Sequence, residues 1–246
     1  TLAWQSFFPN ITMPSLAVAH SASLENYHYI FGYPVFLNAI KNSAILGMLA
    51  ATFVVALAFV LSWIVQRSGS RYAWTIDALA FTPVAIPSII IGCAILFAYL
   101  MIPIGVYNTI WILLIAYVTM YLPFGMRFAS GGIAQIHREL EEAAQTAGAG
   151  SWQILRRVLA PLLAPALIAG WLYIFVLAVR ELAASIFLAG PDTQVLSTIS
   201  LVIWEEGGSL VALCALGIVQ IVPLILIVAA MRRLEQWSSE RRGCAS

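Results

Sequence analysis

Long apolar runs are the feature that most constrains how this chain can fold. Five segments, at about 42–65, 76–101, 109–128, 162–184 and 210–231, carry at most two charged residues each. A helix needs roughly 20 mostly apolar residues to cross the hydrocarbon core of a bilayer. Hydrophobic residues make up 62% of the 246 and charged ones 9%, whereas a soluble domain carries about 25% charge. We therefore predict an all-α, polytopic transmembrane helical bundle.

The other segments fit one transmembrane domain that covers residues 1–246. Residues 1–8 are apolar and precede a proline, so we interpret them as the tail of a truncated span. Residues 10–40 are mixed and aromatic, which indicates an outer, extramembrane segment with a short helix near Leu24–Phe31. Ser23 is the expected cap of that helix, because a serine hydroxyl accepts a hydrogen bond from the first free N–H groups.

The basic residues indicate the side of the membrane on which each loop lies. Ten of the twelve Lys and Arg residues fall in the loop 66–75, the loop 127–160 and the C-terminal tail. These three regions share one side in a five-span count, and cytoplasmic loops carry the excess of Lys and Arg. The loop 127–160 and the C-terminus are therefore predicted to be cytoplasmic, and residues 10–40 to be outside.

The cytoplasmic loop 129–161 has a pattern of its own. Small and apolar residues recur there at three- and four-residue spacing, which predicts one stripe along a helix. The stripe consists of Ile133, Ile136, Leu140, Ala143, Ala144 and Ala147. Glu139, Glu141 and Glu142 are expected near the opposite face. From the pattern alone, such a helix either lies on the membrane surface or inserts into a groove on a partner protein.

Two glycines follow this predicted helix. Gly148 and Gly150 are expected to end it, because glycine adopts the left-handed backbone conformation that closes a helix. Ser151 is the expected cap of the next helix. Pro161 and Pro165 then mark the entry to the fourth span.

Charges and prolines within the spans are candidate residues of a transport path. Arg180 and Glu181 come late in the fourth span, toward the outer face. A charge at mid-bilayer costs roughly 2.5–3.5 kcal/mol, so each residue either reaches the headgroups and water or lines the outward mouth of a path. Pro83 and Pro87 interrupt the second span, and the backbone carbonyls that they free are tolerated where they line a cavity.

A turn at Gly190-Pro191-Asp192 precedes a further short helix between the fourth and fifth spans. Val195, Ile199 and Ile203 give it an apolar face. We interpret it either as an outer-surface helix near a protein that delivers substrate or as a simple interfacial connector.

Sites for enzyme chemistry are absent from the sequence. A phosphate-binding loop needs a lysine after a glycine-rich turn, and the one lysine, Lys41, follows Ile40 and no such turn. The three cysteines, Cys93, Cys214 and Cys244, show no pairing or metal-binding pattern. We predict no catalytic residue, no metal site and no bound cofactor, and hence no enzymatic activity of this chain.

The loop resembles a known motif over about 20 residues. Glu142-Ala143-Ala144, three residues, Gly148, nine residues, Val158 and then Ala160-Pro161 are similar to the pattern E-A-A-x3-G-x9-I-x-L-P of binding-protein-dependent ABC importer permeases. Val158 and Ala160 replace Ile and Leu and leave the core of the motif intact. The resemblance implies the fold of a type I ABC importer transmembrane domain.

The resemblance extends over nearly the whole chain. Phe81-Thr82-Pro83, Ala85-Ile86-Pro87-Ser88 and the segment 23–27 resemble the same family. The run from Arg180-Glu181-Leu182 through Ser185 to Val195-Leu196-Ser197 resembles its ferric-iron, thiamine and aminophosphonate branch. In that branch one polypeptide often carries two such halves, and this chain is similar to the C-terminal half.

This family implies a set of roles and partners. The coupling helix, carried here by Glu142, Ala143, Ala144 and Gly148, docks on a separate ABC ATPase dimer that binds ATP and Mg. The implied partners also include a second permease half (fused, identical or different), a periplasmic or lipoprotein substrate-binding protein and membrane lipid, but no nucleic acid. The implied location is the bacterial inner membrane.

Our candidates for the translocation path or outer gate are Arg180, Glu181, Ser185, Pro83 and Pro87. Ferric iron is the favoured substrate, with thiamine, aminophosphonate and polyamine as alternatives within the same machinery.

Two other classes of function remain to be weighed. A secondary transporter or channel would be expected to carry carboxylates within its spans for ion coupling, and the spans hold no acid at mid-depth. A membrane protease would need a paired nucleophile and base, and the sequence offers none. Co-purification with an ATPase distinguishes the importer from both.

Overall fold

The computed structural model describes residues 1–15, 19–69, 71–102, 108–206 and 209–243. Over these ranges the chain is helical and contains no β-strand. The helices are α1 Leu2–Gln5, α2 Glu25–Phe31, α3 Phe36–Arg67, α4 Ala73–Phe81, α5 Ser88–Met101, α6 Ile110–Ala134, α7 Glu139–Thr146, α8 Ser151–Ile154, α9 Ala160–Val179, α10 Ser185–Leu188, α11 Leu196–Glu205 and α12 Leu210–Gly243. Short 3-10 turns lie at Ala19–Ser21 and Thr82–Ala85, and a π-helical turn at Leu155–Leu159 joins α8 to α9.

Within the described ranges, four helices are long and apolar enough to cross a membrane: Phe36–Arg67, Ile110–Ala134, Ser151–Val179 and Leu210–Ala230. A bent pair, Ala73–Ala85 followed by Ser88–Met101, brings the number to five if the pair counts as one span. The two parts of this pair are inclined by 108°. Pro83 and Pro87 lie at the break, where proline lacks the N–H that would continue the helix.

Several helix ends differ from the ends that the apolar runs suggest, and α6, for example, continues to Ala134 rather than ending near residue 128. α3 begins at Phe36 rather than near residue 42. α12 continues to Gly243, past residue 231, because neither proline nor glycine interrupts the polar segment before Gly243. The predicted fourth span includes residues up to 184, but α9 ends at Val179. Cys93 and Cys214 are free thiols, and Cys244 lies outside the described residues.

The first of two compact units combines Thr1–Ala44 with Ala189–Ser246. Its buried core joins α2, the start of α3, α11 and α12 through Ile30, Phe36, Ile199, Ile203 and Leu216. The cap expected at Ser23 is wrong, since Leu24 precedes the first turn of α2 and provides no side-chain bond.

Polar contacts fix the connector before α11 within the same unit. The Asn42 amide donates to the carbonyl oxygens of Asp192 and Gln194, at 3.1 and 3.0 Å. The Leu196 N–H donates to Ser43 Oγ at 2.7 Å. At the start of α11, the Val195 N–H donates to Thr198 Oγ1 at 3.0 Å, so the buried Thr198 hydroxyl caps this helix.

The second unit, Ile45–Leu188, packs α6 against α3 and α9. Small residues permit this close approach, as is usual between helices in membranes. A Cβ added at Gly125 of α6 would lie 2.8 Å from Val54 Cγ1 and 2.9 Å from Ala58 Cβ of α3. A Cβ added at Gly170 of α9 would lie 2.9 Å from Phe128 Cβ of α6.

Candidate coupling and translocation sites

The loop between α6 and α9 contains a break that the sequence pattern did not reveal. The predicted single helix from Ile133 to Ala147 is wrong, because α6 ends at Ala134 and α7 begins at Glu139. The Arg67 guanidinium, from the end of α3, donates to the carbonyl oxygens of Ile133 and Ile136 at 3.2 and 2.7 Å. These carbonyls lie at the break, where a helix has free acceptors that need an outside donor.

A buried ion pair connects the inner face of α7 to the end of α3. Glu141 is only 6% exposed, and its Oε1 lies 2.8 Å from Arg67 Nε. The Trp63 indole N–H donates to Glu141 Oε2 at 3.2 Å. We expected Glu141 on the polar face, together with Glu139 and Glu142, and this is wrong for Glu141. The cause is Arg67, a partner distant in sequence whose charge compensates the carboxylate inside the protein.

Two further hydrogen bonds hold the same loop to the last turns of α3. The Gln66 side-chain amide donates to the carbonyl oxygen of Ser130 at 3.0 Å. Arg138, which precedes α7, donates to the carbonyl oxygen of Gln66 at 3.0 Å. The end of α3 and the start of α7 are therefore connected by side chains on both sides of the break.

The opposite face of α7 points away from this core. Leu140 is 49% exposed, and Glu142, Ala143 and Ala147 are exposed as well. Ala144 is half-buried and packs against the cluster of Ile133, Ile154, Leu155, Leu159 and Leu163. Of the predicted coupling residues, Glu142 and Ala143 thus share an uncovered surface, whereas Ala144 joins α7 to the core.

Gly148 closes α7 as predicted. Its φ is +85°, and this left-handed conformation is costly for residues that carry a Cβ. The Ala149 N–H reaches back to the carbonyl oxygen of Ala144 at 3.0 Å. The cap expected at Ser151 is wrong, because Gly150 precedes α8 and its N–H donates to Gln153 Oε1 at 3.1 Å.

The candidate path residues cluster at the break between α9 and α10. Glu181 lies beyond the last turn of α9, and its Oε1 accepts a hydrogen bond from the Ala184 N–H at 3.0 Å. Ser185 is buried and donates to the carbonyl oxygen of Glu181 at 2.9 Å. Such local side-chain bonds compete with the helical ladder, which explains why the fourth span ends five residues before its apolar run does.

Two tyrosines of α6, which sequence reasoning missed, complete this cluster. The Tyr121 hydroxyl donates to Glu181 Oε2 at 2.8 Å. The Tyr117 hydroxyl lies 2.7 Å from Ser185 Oγ. The two tyrosines are four residues apart in an apolar helix and so share one face. That spacing is the signal that could have identified them as partners of a polar group inside the bundle.

A cavity of about 180 Å³ opens beside Glu181. Its lining comes from the two helix breaks and from α6, and consists of Pro83, Val84, Ile86, Ser88, Ile91, Met120, Tyr121, Phe124 and Glu181. Of the five predicted path residues, Pro83 and Glu181 line this cavity. Ser185 supports Glu181 from behind, while Pro87 is exposed at the start of α5 and Arg180 is exposed at the end of α9.

Comparison with protein families gives one matching model over most of the chain. Residues 54–241 match the family described as "Binding-protein-dependent transport system inner membrane component". The matched range includes α7, the α9–α10 break and the bent pair α4–α5.

Three bacterial permeases are similar in sequence. The ferric transport system permease protein FbpB of Actinobacillus pleuropneumoniae is 29% identical over 90% of this chain and 32% of its own length. A putative 2-aminoethylphosphonate permease, PhnV of Salmonella choleraesuis (strain SC-B67), is 26% identical over 83% and 77%. The spermidine/putrescine permease PotC of Escherichia coli (strain K12) is 25% identical over 69% and 64%. The chain spans about a third of the length of the ferric relatives it matches.

The fold is also similar to that of solved importers. A bacterial ABC transporter involved in the import of the acidic polysaccharide alginate aligns with a TM-score of 0.73, at 19% identity, over 96% of this chain and 87% of that one. At this identity the similarity concerns the fold: an all-α transmembrane domain of the ABC importer kind.

Proposed function

This chain belongs to the family of binding-protein-dependent transport system inner membrane components, and from that premise we propose that it forms half of the translocation path of an ATP-driven importer of ferric iron. In this proposal a multi-pass protein of the bacterial inner membrane receives its substrate from an external binding protein. The chain itself is not an enzyme. ATP and Mg are bound by a separate ABC ATPase dimer, and the chain binds no cofactor of its own.

The observation that carries the proposal is the construction of α7. A short helix between two spans has a small-residue face that is uncovered, at Ala143 and Ala147, and a back that is fixed by the Arg67–Glu141 ion pair. A helix that only lay on a membrane surface would present a row of large apolar residues to lipid, whereas the uncovered face of α7 carries one, Leu140, beside Ala143 and Ala147. Small side chains instead allow close backbone approach to a groove of a partner. Glu142, Ala143, Ala144 and Gly148 are therefore proposed to couple the chain to its ATPase.

The path is proposed to pass the two helix breaks. Pro83 and Glu181 line the cavity, Ser185 supports Glu181, and Arg180 and Pro87 flank the breaks on their exposed sides. The polar backbone at such breaks is tolerated in a membrane where it faces a cavity rather than lipid. When ATP draws the ATPase dimer together, the pull on α7 reaches α3 through Arg67, and the spans change from inward- to outward-facing.

Ferric iron is the proposed substrate because the ferric permeases are among the relatives with the most significant similarity and because the cavity contains a carboxylate. An aminophosphonate path would place a substrate phosphonate near Glu181, which like-charge repulsion disfavours. Since the chain covers about a third of the ferric relatives, the second half of the path is proposed to lie on the same polypeptide.

The test is transport by the complete importer: the full polypeptide that contains this chain, its ATPase and its binding protein in proteoliposomes. We expect ATP-dependent accumulation of radioactive Fe(III), and none of thiamine, spermidine or 2-aminoethylphosphonate. The Glu142→Lys variant should abolish substrate-stimulated ATP hydrolysis while the protein remains inserted. Accumulation of another probe would replace iron as the substrate, and uptake driven by an ion gradient without ATP would indicate a secondary transporter.

A further inference from the structure

Two exposed arginines lie at the start of the fourth span, on the side of the membrane predicted to be cytoplasmic. Arg156 and Arg157 belong to the π-helical turn Leu155–Leu159 and are exposed, whereas Leu155 and Leu159 are buried. Among the described residues, neither guanidinium forms an ion pair or a side-chain hydrogen bond. Two positive charges so close together on an uncovered face attract an anionic ligand.

The length of the apolar helix indicates the depth of these arginines in the bilayer. The helix Ser151–Val179 is long and apolar enough to span a membrane, and residues 158–179 contain no charged side chain. At 1.5 Å per residue this uncharged part is about 33 Å long, close to the roughly 30 Å of hydrocarbon in a bilayer. The turn that precedes it, with Arg156 and Arg157, is therefore expected at the level of the lipid headgroups.

An exposed tryptophan accompanies the two arginines. Trp152 of α8 is 66% exposed and precedes Arg156 by four residues, so the two side chains are neighbours on the helix surface. Indole rings concentrate at the membrane interface, where the ring has apolar surroundings and its N–H has polar ones. A guanidinium can donate two parallel hydrogen bonds to a phosphate. Together these side chains match the two chemistries of a phospholipid at this depth, an anionic phosphate and an apolar glycerol and acyl region.

A second span entry on the same side has a similar composition. The Arg71 guanidinium lies over the Tyr72 ring at 5.0 Å, and Trp74 is 79% exposed. At the other end of these spans, Trp111 in the first turn of α6 is 53% exposed, but the chain contains no Lys or Arg between residues 72 and 126. From α4 to α6, aromatic residues thus occur at both ends, and cations accompany them only at the end predicted to be cytoplasmic. The cytoplasmic leaflet is the one that carries a negative surface potential.

The buried side of the π-helical turn supports α7. Leu155 and Leu159 belong to the buried cluster against which Ala144 of α7 packs. Because π-helical turns are rare and recur at functional sites, the turn between α8 and α9 is a place where the helix can change its local geometry. A ligand on the exposed side of this turn would restrict that change and so hold the leucines beneath α7.

We infer that the exposed face of residues 152–157 binds the headgroup of an anionic phospholipid, and that this lipid stabilises the turn on which α7 packs. Arg156 and Arg157 bind the phosphate, and Trp152 lies beside the glycerol backbone. Basic residues on the cytoplasmic side of membrane proteins recognise anionic headgroups in this way. The effect on α7 rests on the proposed importer function, whereas the lipid site itself does not.

The first experiment measures lipid binding at Trp152. The complete importer is placed in nanodiscs of phosphatidylcholine and phosphatidylglycerol, with bromine on the acyl chains of one lipid or the other. Bromine quenches the fluorescence of a tryptophan that it contacts, and subtraction of the Trp152→Phe variant isolates the Trp152 signal. We expect phosphatidylglycerol to be preferred over phosphatidylcholine by at least about fivefold, the contribution of one arginine near an anionic surface.

The variants assign this preference to the two arginines. Arg156→Gln and Arg157→Gln should each lose most of it. Arg71→Gln is the matched control, because it removes an exposed arginine from the other span entry, and it should retain the wild-type preference at Trp152. Equal quenching of Trp152 by the two lipids in the wild type would overturn the site. Quenching that appears only after the ATPase has been removed would overturn it as well, since the face would then belong to a protein interface.

The second experiment measures substrate-stimulated ATP hydrolysis in the same nanodiscs. We expect stimulation to be at least about fivefold greater with phosphatidylglycerol than in pure phosphatidylcholine, the lower range for coupling between two sites. Arg156→Gln and Arg157→Gln should remain at the phosphatidylcholine level in both bilayers. Equal stimulation of the wild type in the two bilayers would overturn the link to α7. Absence of stimulation in both, with the lipid preference of Trp152 intact, would reject the importer and not the lipid site.

Discussion

Two carboxylates of this chain, Glu141 and Glu181, differ in their surroundings. Glu141, on the inner face of α7, has a guanidinium at 2.8 Å and an indole N–H at 3.2 Å. Glu181 lies between helix breaks, where a hydroxyl and a backbone N–H are its hydrogen-bond donors and a cavity is its neighbour. The first carboxylate forms an ion pair with Arg67 and so connects α7 to α3. The second accepts hydrogen bonds from a side chain of α6 and from the backbone of the break after α9.

The largest expected effect on stability comes from removing the Arg67–Glu141 ion pair. Glu141→Ala leaves Arg67 buried without its countercharge, and such a loss costs about 3–5 kcal/mol. We expect α7 to open locally, with amide hydrogen exchange of residues 139–146 faster by at least about 100-fold and the ATPase lost during purification. Glu139→Ala is the matched control, since Glu139 is exposed on the same helix. Equal exchange rates in the two variants would show that the ion pair does not hold α7.

A smaller effect is expected from substitution of Gly148, the glycine that follows the end of α7. Gly148→Ala must place a Cβ at a φ of +85°, which costs roughly 1–2 kcal/mol, although no atom lies near enough to clash. We expect a matching loss of α7 protection and weaker stimulation of ATP hydrolysis by substrate. Gly131→Ala is the control, because the same methyl group also meets open space there but lies within α6, where alanine favours the helix. Full stimulation in Gly148→Ala would argue against a rigid link.

The smallest effect is expected for Arg180, the charged residue next to Glu181 in the chain. Arg180→Gln removes a cation from the end of α9, where such a charge contributes about 0.3–1 kcal/mol. Because Arg180 is exposed and outside the cavity lining, we expect Fe(III) uptake to fall less than about fivefold, and Arg180→Lys to transport normally. A loss in Arg180→Gln as large as that in Glu181→Gln would place both charges in the path and remove the contrast between them.

The sequence predicted those parts of the fold that depend on neighbours in the chain. Apolar length located the spans, and Gly148 ended α7 as expected. The same local reasoning placed Glu141 on the wrong face, because the residue that turns it inward, Arg67, is on another helix. It also extended the fourth span to residue 184, since an apolar run does not reveal that Glu181 bonds to the backbone of Ala184.

Of the residues at the candidate path, the sequence likewise identified some and missed others. Pro83 and Glu181 were identified because a proline or a charge is unusual in a span. Tyr121 was missed because a tyrosine in an apolar helix is common, and its spacing from Tyr117 indicates a shared face but not the hydroxyl bond to Glu181. Sequence reasoning therefore found the unusual residues and not the ordinary ones that orient them.

The close packing of α6 against its neighbours also limits which amino-acid substitutions the fold tolerates. At Gly125 even the smallest side chain would meet Val54 and Ala58 at less than 3.0 Å, so any point mutation there must be accompanied by a second one in α3. A single substitution at Gly125 is therefore expected to disrupt packing, whereas Gly131 lies beside open space and is expected to tolerate substitution without a second change. We therefore expect substitutions at the tightly packed glycines of this chain to occur together with changes in the neighbouring helix.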